Sequence, residues 1–294
     1  MSIMINAVNA KTKFVETGGK KIAYRSIGSG QPILLVNRFR GNLDSWDPAF
    51  LDALASTFNV ITIDYSGIGL STGVCTTDVY EMAKDVKDVA EALRLTNIIM
   101  AGWSLGGMVA QAVITQYPEL VSHGILIATS PPIKSNDVSE KLFWERALKP
   151  VTDLDDGIVL FFKPQSESSK NAAKFSFGRI AKRTEDLDSP VSKECYSNQQ
   201  KAIDQFREDK NGTLAKLQSS KIPILVFMGD HDIGFPIQDW FPLVGKLPST
   251  QLIVMPQAGH GPQHQYPYLA AKYIASFIEN SKESIIQEVK EVDR

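Results

Sequence analysis

The stretch that decides the fold reads Ile98-Ile99-Met100-Ala101-Gly102-Trp103-Ser104-Leu105-Gly106-Gly107-Met108-Val109-Ala110. A run of apolar residues typical of a buried strand leads into Gly-Trp-Ser-Leu-Gly-Gly, and a helical pattern follows. This arrangement is G-x-S-x-G between a strand and a helix, where a serine on a sharp turn projects its hydroxyl group out of the sheet. Small residues at Gly102 and Gly106 permit the tight crossing, and the Leu105 amide, at a helix N-terminus, has no intrahelical acceptor. The pattern leaves two alternatives for Ser104: a catalytic nucleophile, or a helix-capping serine in a glycine-rich turn.

The composition of the 294-residue chain is that of a globular protein, with 43% hydrophobic residues, 22% charged residues and a net charge of −2. This length allows one large α/β domain or a domain with an insert. Because the charge is nearly balanced, no nucleic-acid partner is expected. No stretch approaches the ~18 consecutive apolar residues of a membrane span, so no membrane partner is expected either.

The two cysteines, Cys75 and Cys195, stand far apart and form no C-x-x-C motif. The sequence therefore predicts neither a disulfide framework nor a cysteine zinc site, and a reducing compartment is expected. The segment from Met1 to Lys13 lacks a basic region followed by a long apolar run, so no secretory signal is expected. Together these observations predict a cytoplasmic protein.

Strand-type and helix-type sequences alternate over the first 130 residues. Two short strands are predicted between Lys13 and Ile27, joined by a turn at Gly18-Gly19. Further strands are predicted at 33–36, 60–64, 98–103 and 124–128, separated by helices at 46–58, at 77–93 and from Ser104 to about residue 117. This alternation predicts an α/β fold with a mostly parallel central sheet and helices on both faces.

The pattern changes after Pro131-Pro132, where four helical segments follow one another without a strand. We predict a core made of residues 1–130 and 216–294, interrupted by a helical cap insert at 131–215. The aromatic side chains of the insert have two interpretations. Some of them face a substrate pocket, with Phe143, Trp144 and Phe161 as candidates, or they hold the insert together and onto the core. Strands resume at 222–229 and 252–255, and a last helix is predicted at 268–278.

The chain also supplies an acid and a histidine in the order that a catalytic serine requires. A serine needs a base to become a strong nucleophile, and on this kind of sheet the order is serine, acid, histidine. Asp230 and Asp232 follow one predicted strand directly, and His260 follows the last one. Because the carboxyl ends of parallel strands meet at one edge of a sheet, we expect Ser104, one of the two aspartates and His260 to converge.

A metal-binding interpretation of the histidines is disfavoured. Asp230, His231, His260 and His264 could supply ligands, but the Gly261-Pro262 pair argues against a helix that would carry two of them. There is also no cysteine partner, so no metal is expected. His264 is instead a candidate for the entrance of the site.

With these motifs the chain resembles the α/β-hydrolase superfamily over essentially its whole length. Five motifs occur in order: Asn37-Arg38-Phe39-Arg40-Gly41 at the oxyanion-hole loop with Trp46 downstream, Asp64-Tyr65-Ser66-Gly67-Ile68-Gly69-Leu70-Ser71, the Ser104 elbow, Gly229-Asp230-His231-Asp232 with Pro236, and Gly259-His260 with Pro267. The resemblance implies that Asp232 is the acid, through Gly-x-x-Asp-x-x-x-Pro. Asp230 is expected to cap the turn, because aspartate commonly accepts backbone N–H groups there. The resemblance also implies an oxyanion hole made by the amides of Phe39 and Leu105. Within the superfamily, the chain is similar to an esterase- and haloperoxidase-like branch.

Two residues depart from the family pattern, since Asn37 replaces the usual histidine and Arg38 the usual glycine. We expect Asn37 to shape the loop, because a backbone oxyanion donor does not depend on that side chain. Arg38 and Arg40 bring two positive charges near the mouth of the site. They either attract an acidic group of the substrate or pair with Asp44, Asp47 or acids of the insert, and pairing is the preferred interpretation.

The sequence thus predicts a serine hydrolase that cleaves a small carboxylic ester, thioester or lactone through Ser104, His260 and Asp232 and an acyl-enzyme. A cofactor-free carbon–carbon hydrolase or lyase on the same triad, or a ligand receptor on a hydrolase fold, is the alternative. No cofactor is expected, and the expected partner is a small-molecule substrate. The residues expected around that substrate are Asn37, Arg38, Trp103, Phe143, Trp144, Phe161 and His264.

Overall fold

The fold is built around an eight-stranded sheet. The computed structural model describes residues 6–134 and 139–292 of the chain. The strands are β1 (Lys13–Thr17), β2 (Lys20–Gly28), β3 (Pro32–Val36), β4 (Asn59–Ile63), β5 (Ile98–Trp103), β6 (Val121–Ile127), β7 (Ile224–Gly229) and β8 (Thr250–Met255). Their order across the sheet is β1-β2-β4-β3-β5-β6-β7-β8. Because β3 to β8 run parallel and only β2 and its hairpin partner β1 introduce antiparallel pairs, the predicted mostly parallel α/β fold is confirmed.

The hairpin of β1 and β2 forms where the sequence predicts it. Thr17 pairs with Lys20, so that Gly18 and Gly19 make a two-residue turn. Their φ angles are +56° and +74°, in the left-handed region that glycine adopts without a steric penalty. A larger residue at either position would strain the turn, which explains why the Gly-Gly pair marks the hairpin in the sequence.

Helices cover the sheet and fill the long connection between β6 and β7. They are α1 (Pro48–Ala55), α2 (Val79–Ala92), α3 (Leu105–Gln116), α4 (Lys141–Ala147), α5 (Leu154–Phe161), α6 (Glu167–Ile180), α7 (Lys193–Arg207), α8 (Thr213–Ser219), α9 (Pro262–Gln265) and α10 (Pro267–Val292). The helices α4 to α7 occupy the region predicted as an insert. The helix α8 contacts α3 of the core and spans the predicted boundary at residue 215.

Alternate residues of the central strand β3 bury two different faces of the sheet. Leu34 and Val36 belong to a cluster that includes the apolar faces of α2 and α3. Ile33 and Leu35 point the other way and pack in a second cluster with α1 and α10. A strand that is buried on both faces reads as a continuous apolar run, which is the signal that identified it in the sequence.

Cys75 and Cys195 form a disulfide, contrary to the expectation of a chain without disulfides. The two residues are 120 positions apart in the chain, but their Cα atoms lie 5.2 Å apart. The bond joins the loop before α2 to the first turn of α7. Spacing along the sequence gave no sign of it, because the pairing depends on the fold bringing two distant segments together. The expectation of a reducing compartment rested on unpaired cysteines and loses that basis.

Two further details differ from the sequence-based expectations, one at His123 and one at Pro262. The strand β6 begins at Val121, so His123 lies inside this strand rather than before it. The Gly261-Pro262 pair does not prevent a helix, because Pro262 takes the first position of α9, where its fixed φ is compatible with a helix. The helix α10 extends through the charged tail as far as Val292. Within the described residues, no helix is both long enough and apolar enough to cross a membrane.

Candidate active site

Ser104 lies on a strained turn between β5 and α3. Its φ and ψ angles are +60° and −119°, a conformation that non-glycine residues rarely adopt. A Cβ atom on Gly102 would lie 1.9 Å from the carbonyl oxygen of Gly106, and one on Gly106 would lie 2.2 Å from the carbonyl oxygen of Val36. Glycine is therefore required at position 102 for the tightness of the turn itself and at position 106 for the close approach of the turn to β3. The Ser104 side chain is held at the carboxyl end of the sheet, as the G-x-S-x-G motif predicts.

His260 lies in the loop after β8 and contacts Ser104 directly. Its Nε2 atom is 2.8 Å from Ser104 Oγ, and the histidine residue is 1% exposed. The imidazole stacks on the ring of Phe235 at a centroid distance of 5.2 Å. The indole nitrogen of Trp103 donates a hydrogen bond of 2.6 Å to the main-chain carbonyl of His260. These contacts fix both the ring and the backbone of the histidine.

Asp232, and not Asp230, reaches the histidine. Asp232 Oδ2 is 2.7 Å from His260 Nδ1. The other carboxylate oxygen of Asp232 accepts the amides of Gly234 and Phe235, each at 2.9 Å. Because a carboxylate only accepts hydrogen bonds, His260 Nδ1 carries the proton, which leaves Nε2 free to accept the Ser104 hydroxyl proton. The solvent-exposed Asp230 instead accepts the Ala258 amide at 3.2 Å, which is a turn-capping contact.

Two backbone amides are available for an oxyanion beside Ser104. Leu105 is the first residue of α3, where a helical N–H has no intrahelical acceptor. The Phe39 amide lies in the loop after β3, between the amide of Arg38, which donates to Asn37 Oδ1, and that of Arg40, which donates to Gln199 Oε1. The Gly106 contact with β3 brings this loop next to the elbow. The amides of Phe39 and Leu105 thus belong to two segments that the fold places side by side.

The Asn37 side chain is used within its own loop. Its Nδ2 atom donates to the Asn42 carbonyl, and its Oδ1 atom accepts the Arg38 amide at 2.9 Å. Gly41 passes so close that a Cβ atom there would lie 2.4 Å from Asn37 Oδ1. Because both ends of the Asn37 amide are engaged, the side chain shapes the loop rather than pointing a free donor at Ser104.

The ion pairs that the sequence favoured for Arg38 do not form. Asp44 is paired with Arg25, at 2.5 Å, and the fully buried Asp47 is paired with Arg179, at 2.6 Å. Among the described residues, no carboxylate lies within ion-pair distance of the Arg38 guanidinium. Arg38 Nη1 donates to its neighbour's main-chain carbonyl at 2.8 Å, and the buried Nε atom has no partner. The preferred interpretation of Arg38 is therefore wrong.

Arg40 is also used differently from the prediction, because it binds the insert through main-chain carbonyls instead of acidic side chains. Its guanidinium donates to the carbonyls of Ala147, Lys149 and Pro150. It also stacks over the Tyr196 ring, 4.5 Å from the ring centre. Arg40 therefore ties the loop after β3 to the connection between α4 and α5.

A cavity of about 140 Å³ opens onto Ser104 and His260. Its lining consists of Arg38, Phe39, Arg40, Ser104, Phe143, Ala147, Thr152, Leu160, Phe161 and His260. Of the expected substrate-contacting residues, Arg38, Phe143 and Phe161 thus line the cavity. Asn37, Trp103, Trp144 and His264 are not among the residues that line it. Trp103 lies beneath the Arg38 guanidinium, and Trp144 packs edge-on against Phe143.

Sequence reasoning missed several residues next to the nucleophile. Ala147, Thr152 and Leu160 line the cavity, and Phe235 stacks on the imidazole. The only available signals were the position of Leu160 beside the predicted Phe161 and that of Phe235 three residues after Asp232. Small and aliphatic residues give no chemical signal in a sequence, because they contribute shape rather than a reactive group.

His264 is not at the entrance, where the sequence placed it, but 3% exposed in the core. Its Nε2 atom accepts the Asp47 amide at 3.2 Å, and its ring centre lies 4.6 Å from that of Trp103. Burial, together with the charges of Arg38 and Arg179, lowers the pKa of His264 to about 4, although Asp47 acts in the opposite direction. His264 is therefore neutral at physiological pH.

Acid is expected to destabilise the protein through His264. Its pKa is lower in the folded chain than its ordinary value of 6.5, so the unfolded chain binds the proton more tightly. This contribution to stability is complete above pH 6.5 and is lost as the pH falls towards 4, where the loss amounts to about 3 kcal/mol. We expect denaturant unfolding of His264→Asn to lack this part of the pH dependence, with the partly exposed His231→Asn as the control. Equal acid sensitivity of the His264 variant and the parent protein would contradict the assignment.

The chain belongs to the α/β hydrolase fold family, because the family model matches residues 31–267. This span runs from the start of β3 to the start of α10 and contains Ser104, Asp232 and His260. The protein is a hydrolase enzyme of this family, and one of its relatives is named as an esterase.

Two relatives and one solved structure match this chain over different shares of its length. It is 27% identical over 259 residues to the biotin biosynthesis bifunctional protein BioHC of Teredinibacter turnerae, a match covering 84% of this chain and 44% of that protein. It is 36% identical over 155 residues to the pimeloyl-[acyl-carrier protein] methyl ester esterase of Pseudoalteromonas atlantica, a match covering 50% of this chain and 58% of the esterase. The matches therefore span about half the length of these two relatives. The structure of an alpha/beta hydrolase fold protein from Chitinophaga pinensis agrees with a TM-score of 0.83 and 27% identity, over 93% of this chain and 99% of that one.

Proposed function

We propose that this hydrolase cleaves a small carboxylic ester, thioester or lactone through a covalent acyl-enzyme. The observation that carries the proposal is the unbroken line of hydrogen bonds from Ser104 Oγ to His260, at 2.8 Å, and from His260 to Asp232, at 2.7 Å. Each distance is within the range that proton transfer between a nucleophile, a base and its orienting acid requires. The methyl ester esterase among the relatives supports an ester as the bond attacked.

The geometry supports the following sequence of steps. Ser104 Oγ attacks the carbonyl carbon while His260 Nε2 takes its proton, and the imidazolium that forms is stabilised by Asp232. The amides of Phe39 and Leu105 donate to the oxyanion of the tetrahedral intermediate. His260 then gives its proton to the leaving alcohol, thiol or lactone oxygen. In the second half, His260 takes a proton from the water that attacks the acyl-enzyme, and it returns this proton to Ser104 Oγ as the acid is released.

We also propose that the segment at 131–215 acts as a cap that selects the substrate. Phe143 of α4 and Leu160 and Phe161 of α5 line the cavity, whereas the nucleophile, base and acid all come from elsewhere in the chain. The cavity volume of about 140 Å³ is below the roughly 300–1,000 Å³ typical of pockets for drug-sized ligands. A small-molecule substrate with a short acyl or alcohol part follows from this size.

A fluorophosphonate probe and a series of p-nitrophenyl esters from acetate to octanoate test this proposal. We expect the probe to label the protein at one serine and to abolish ester turnover with the same time course. We expect kcat/KM to be highest for the shortest acyl chains. Absence of both labelling and turnover, with binding of small ligands retained, would favour a receptor instead. Labelling without turnover of any ester or lactone would favour a carbon–carbon hydrolase or lyase.

A further inference from the structure

The Arg38 guanidinium lines the same cavity as Ser104 and His260 but has no acidic partner among the described residues. Three other arginines of the protein are paired with acidic side chains. Arg25, Arg146 and Arg179 are each within 2.7 Å of a carboxylate oxygen. Among the described residues, Arg40 and Arg207 also lack an ion pair, but Arg40 is held by main-chain carbonyls and Arg207 does not line the cavity. Arg38 combines a place in the cavity of the reactive serine with a buried donor that has no partner there.

The surroundings of Arg38 leave part of its hydrogen-bonding capacity unused. Its Nη1 atom donates to the Phe39 carbonyl, while its Nε atom is buried without a partner. The guanidinium lies over two aromatic rings, 4.6 Å from the centre of Phe161 and 5.2 Å from that of Trp103. A buried polar group without a partner costs free energy, which a bound anion with two acceptor oxygens would recover.

The positive charge of the cavity also favours a negatively charged ligand. Arg38 and Arg40 both line it, and none of the other lining residues is acidic. Arg40 is already engaged by three main-chain carbonyls of the insert, so Arg38 is the group with donors left to offer. Burial, followed by repulsion from Arg40, lowers the pKa of Arg38 to about 10, which leaves it charged at neutral pH.

We propose that the substrate carries a carboxylate in addition to the bond that is cleaved, and that Arg38 binds this carboxylate. This inference rests on the proposed ester hydrolysis and specifies its substrate as a small acid ester, such as the half-ester of a short dicarboxylic acid. An arginine fork matches the two oxygens of a carboxylate, and the aromatic rings beneath it restrict its orientation. Arg38 lies in the loop after β3 and directly precedes Phe39. The bound carboxylate would therefore lie beside the oxyanion hole and orient the ester towards Ser104.

Pairs of esters with the same number of carbon atoms, with and without the carboxylate, test the inference. Monomethyl glutarate against methyl valerate places the carboxylate on the acyl side, and acetoxyacetate against acetoxyacetamide places it on the alcohol side. Each pair is assayed with the parent protein, with Arg38→Met and with Arg207→Met. Arg207 is the matched control, because it is half-buried and stacks on Phe235 but does not line the cavity.

We expect the parent protein to prefer the acid ester in one of the two pairs. Arg38→Met should lower kcat/KM for that acid ester by on the order of 10²-fold and change the neutral ester much less. Arg207→Met should leave the ratio of acid to neutral ester unchanged. If Arg38→Met lowers both esters equally, or if the parent protein shows no preference in either pair, the inference is wrong. In that case, turnover of the neutral esters together with fluorophosphonate labelling would still support the proposed function. A parent protein that shows neither turnover nor labelling would instead contradict the proposed function itself.

Discussion

Replacing Ser104 by alanine should lower kcat for ester hydrolysis by on the order of 10⁴-fold or more, because only the oxyanion donors and substrate binding remain. The change removes the Oγ atom that lies 2.8 Å from His260 Nε2. It adds no new backbone strain, since alanine adopts the left-handed φ of +60° no less readily than serine does. We therefore expect the variant to fold with unchanged circular dichroism and to lose fluorophosphonate labelling together with turnover.

Ser130→Ala is a suitable control for this measurement. Ser130 is fully buried, as Ser104 is, and it also follows a parallel strand at the carboxyl edge of the sheet. Its hydroxyl group contacts Arg207 at 3.5 Å and does not contact His260. We expect this variant to keep both labelling and turnover. Labelling of Ser104→Ala at another residue, with ester turnover maintained, would show that Ser104 is not the nucleophile.

The sequence predicted the sheet and the convergence of the site well, because both follow from local patterns. Apolar runs such as 33–36 identify strands buried on two faces, and the Gly18-Gly19 pair identifies the hairpin. The carboxyl ends of β5, β7 and β8 then had to bring Ser104, an acid and His260 to one edge. Those side chains do lie together, with His260 hydrogen-bonded to both partners.

The pairing of charges and of cysteines could not be predicted, because it depends on which distant segments the fold places side by side. Asp44 and Asp47 are close to Arg38 in sequence, and on that basis an ion pair with Arg38 was favoured. Asp47 is instead paired with Arg179 of α6, which lies 132 residues further along the chain. The disulfide between residues 75 and 195 likewise joins two segments that are distant in the sequence and adjacent in the fold. Local spacing carries no information about contacts between segments so far apart.

The largest effect apart from that of the nucleophile is expected at Asp232. The sequence leaves two neighbouring aspartates as candidates, and the structure places Asp232 Oδ2 at 2.7 Å from His260 Nδ1. Its second oxygen is held by the amides of Gly234 and Phe235, so the carboxylate cannot turn away from the imidazole. Asp232→Asn puts an amide N–H in place of a carboxylate oxygen. We expect the imidazole to take the other tautomer, with its proton on Nε2, where it can no longer accept the Ser104 proton.

Asp232→Asn should therefore keep the fold and lower kcat by on the order of 10⁴-fold, the effect known for this substitution in the catalytic triad of a serine protease. Asp230→Asn is the matched control, two residues away and with the same change in charge. Asp230 is exposed and accepts only the Ala258 amide, a bond that the asparagine oxygen can also accept, so we expect a loss of about tenfold or less. Both values of kcat should be measured on one short-chain ester at pH 7.5. An inactive Asp230→Asn beside an active Asp232→Asn would reverse the assignment, and equal losses in both variants would indicate that the acidic loop acts through its fold rather than through the proton on His260.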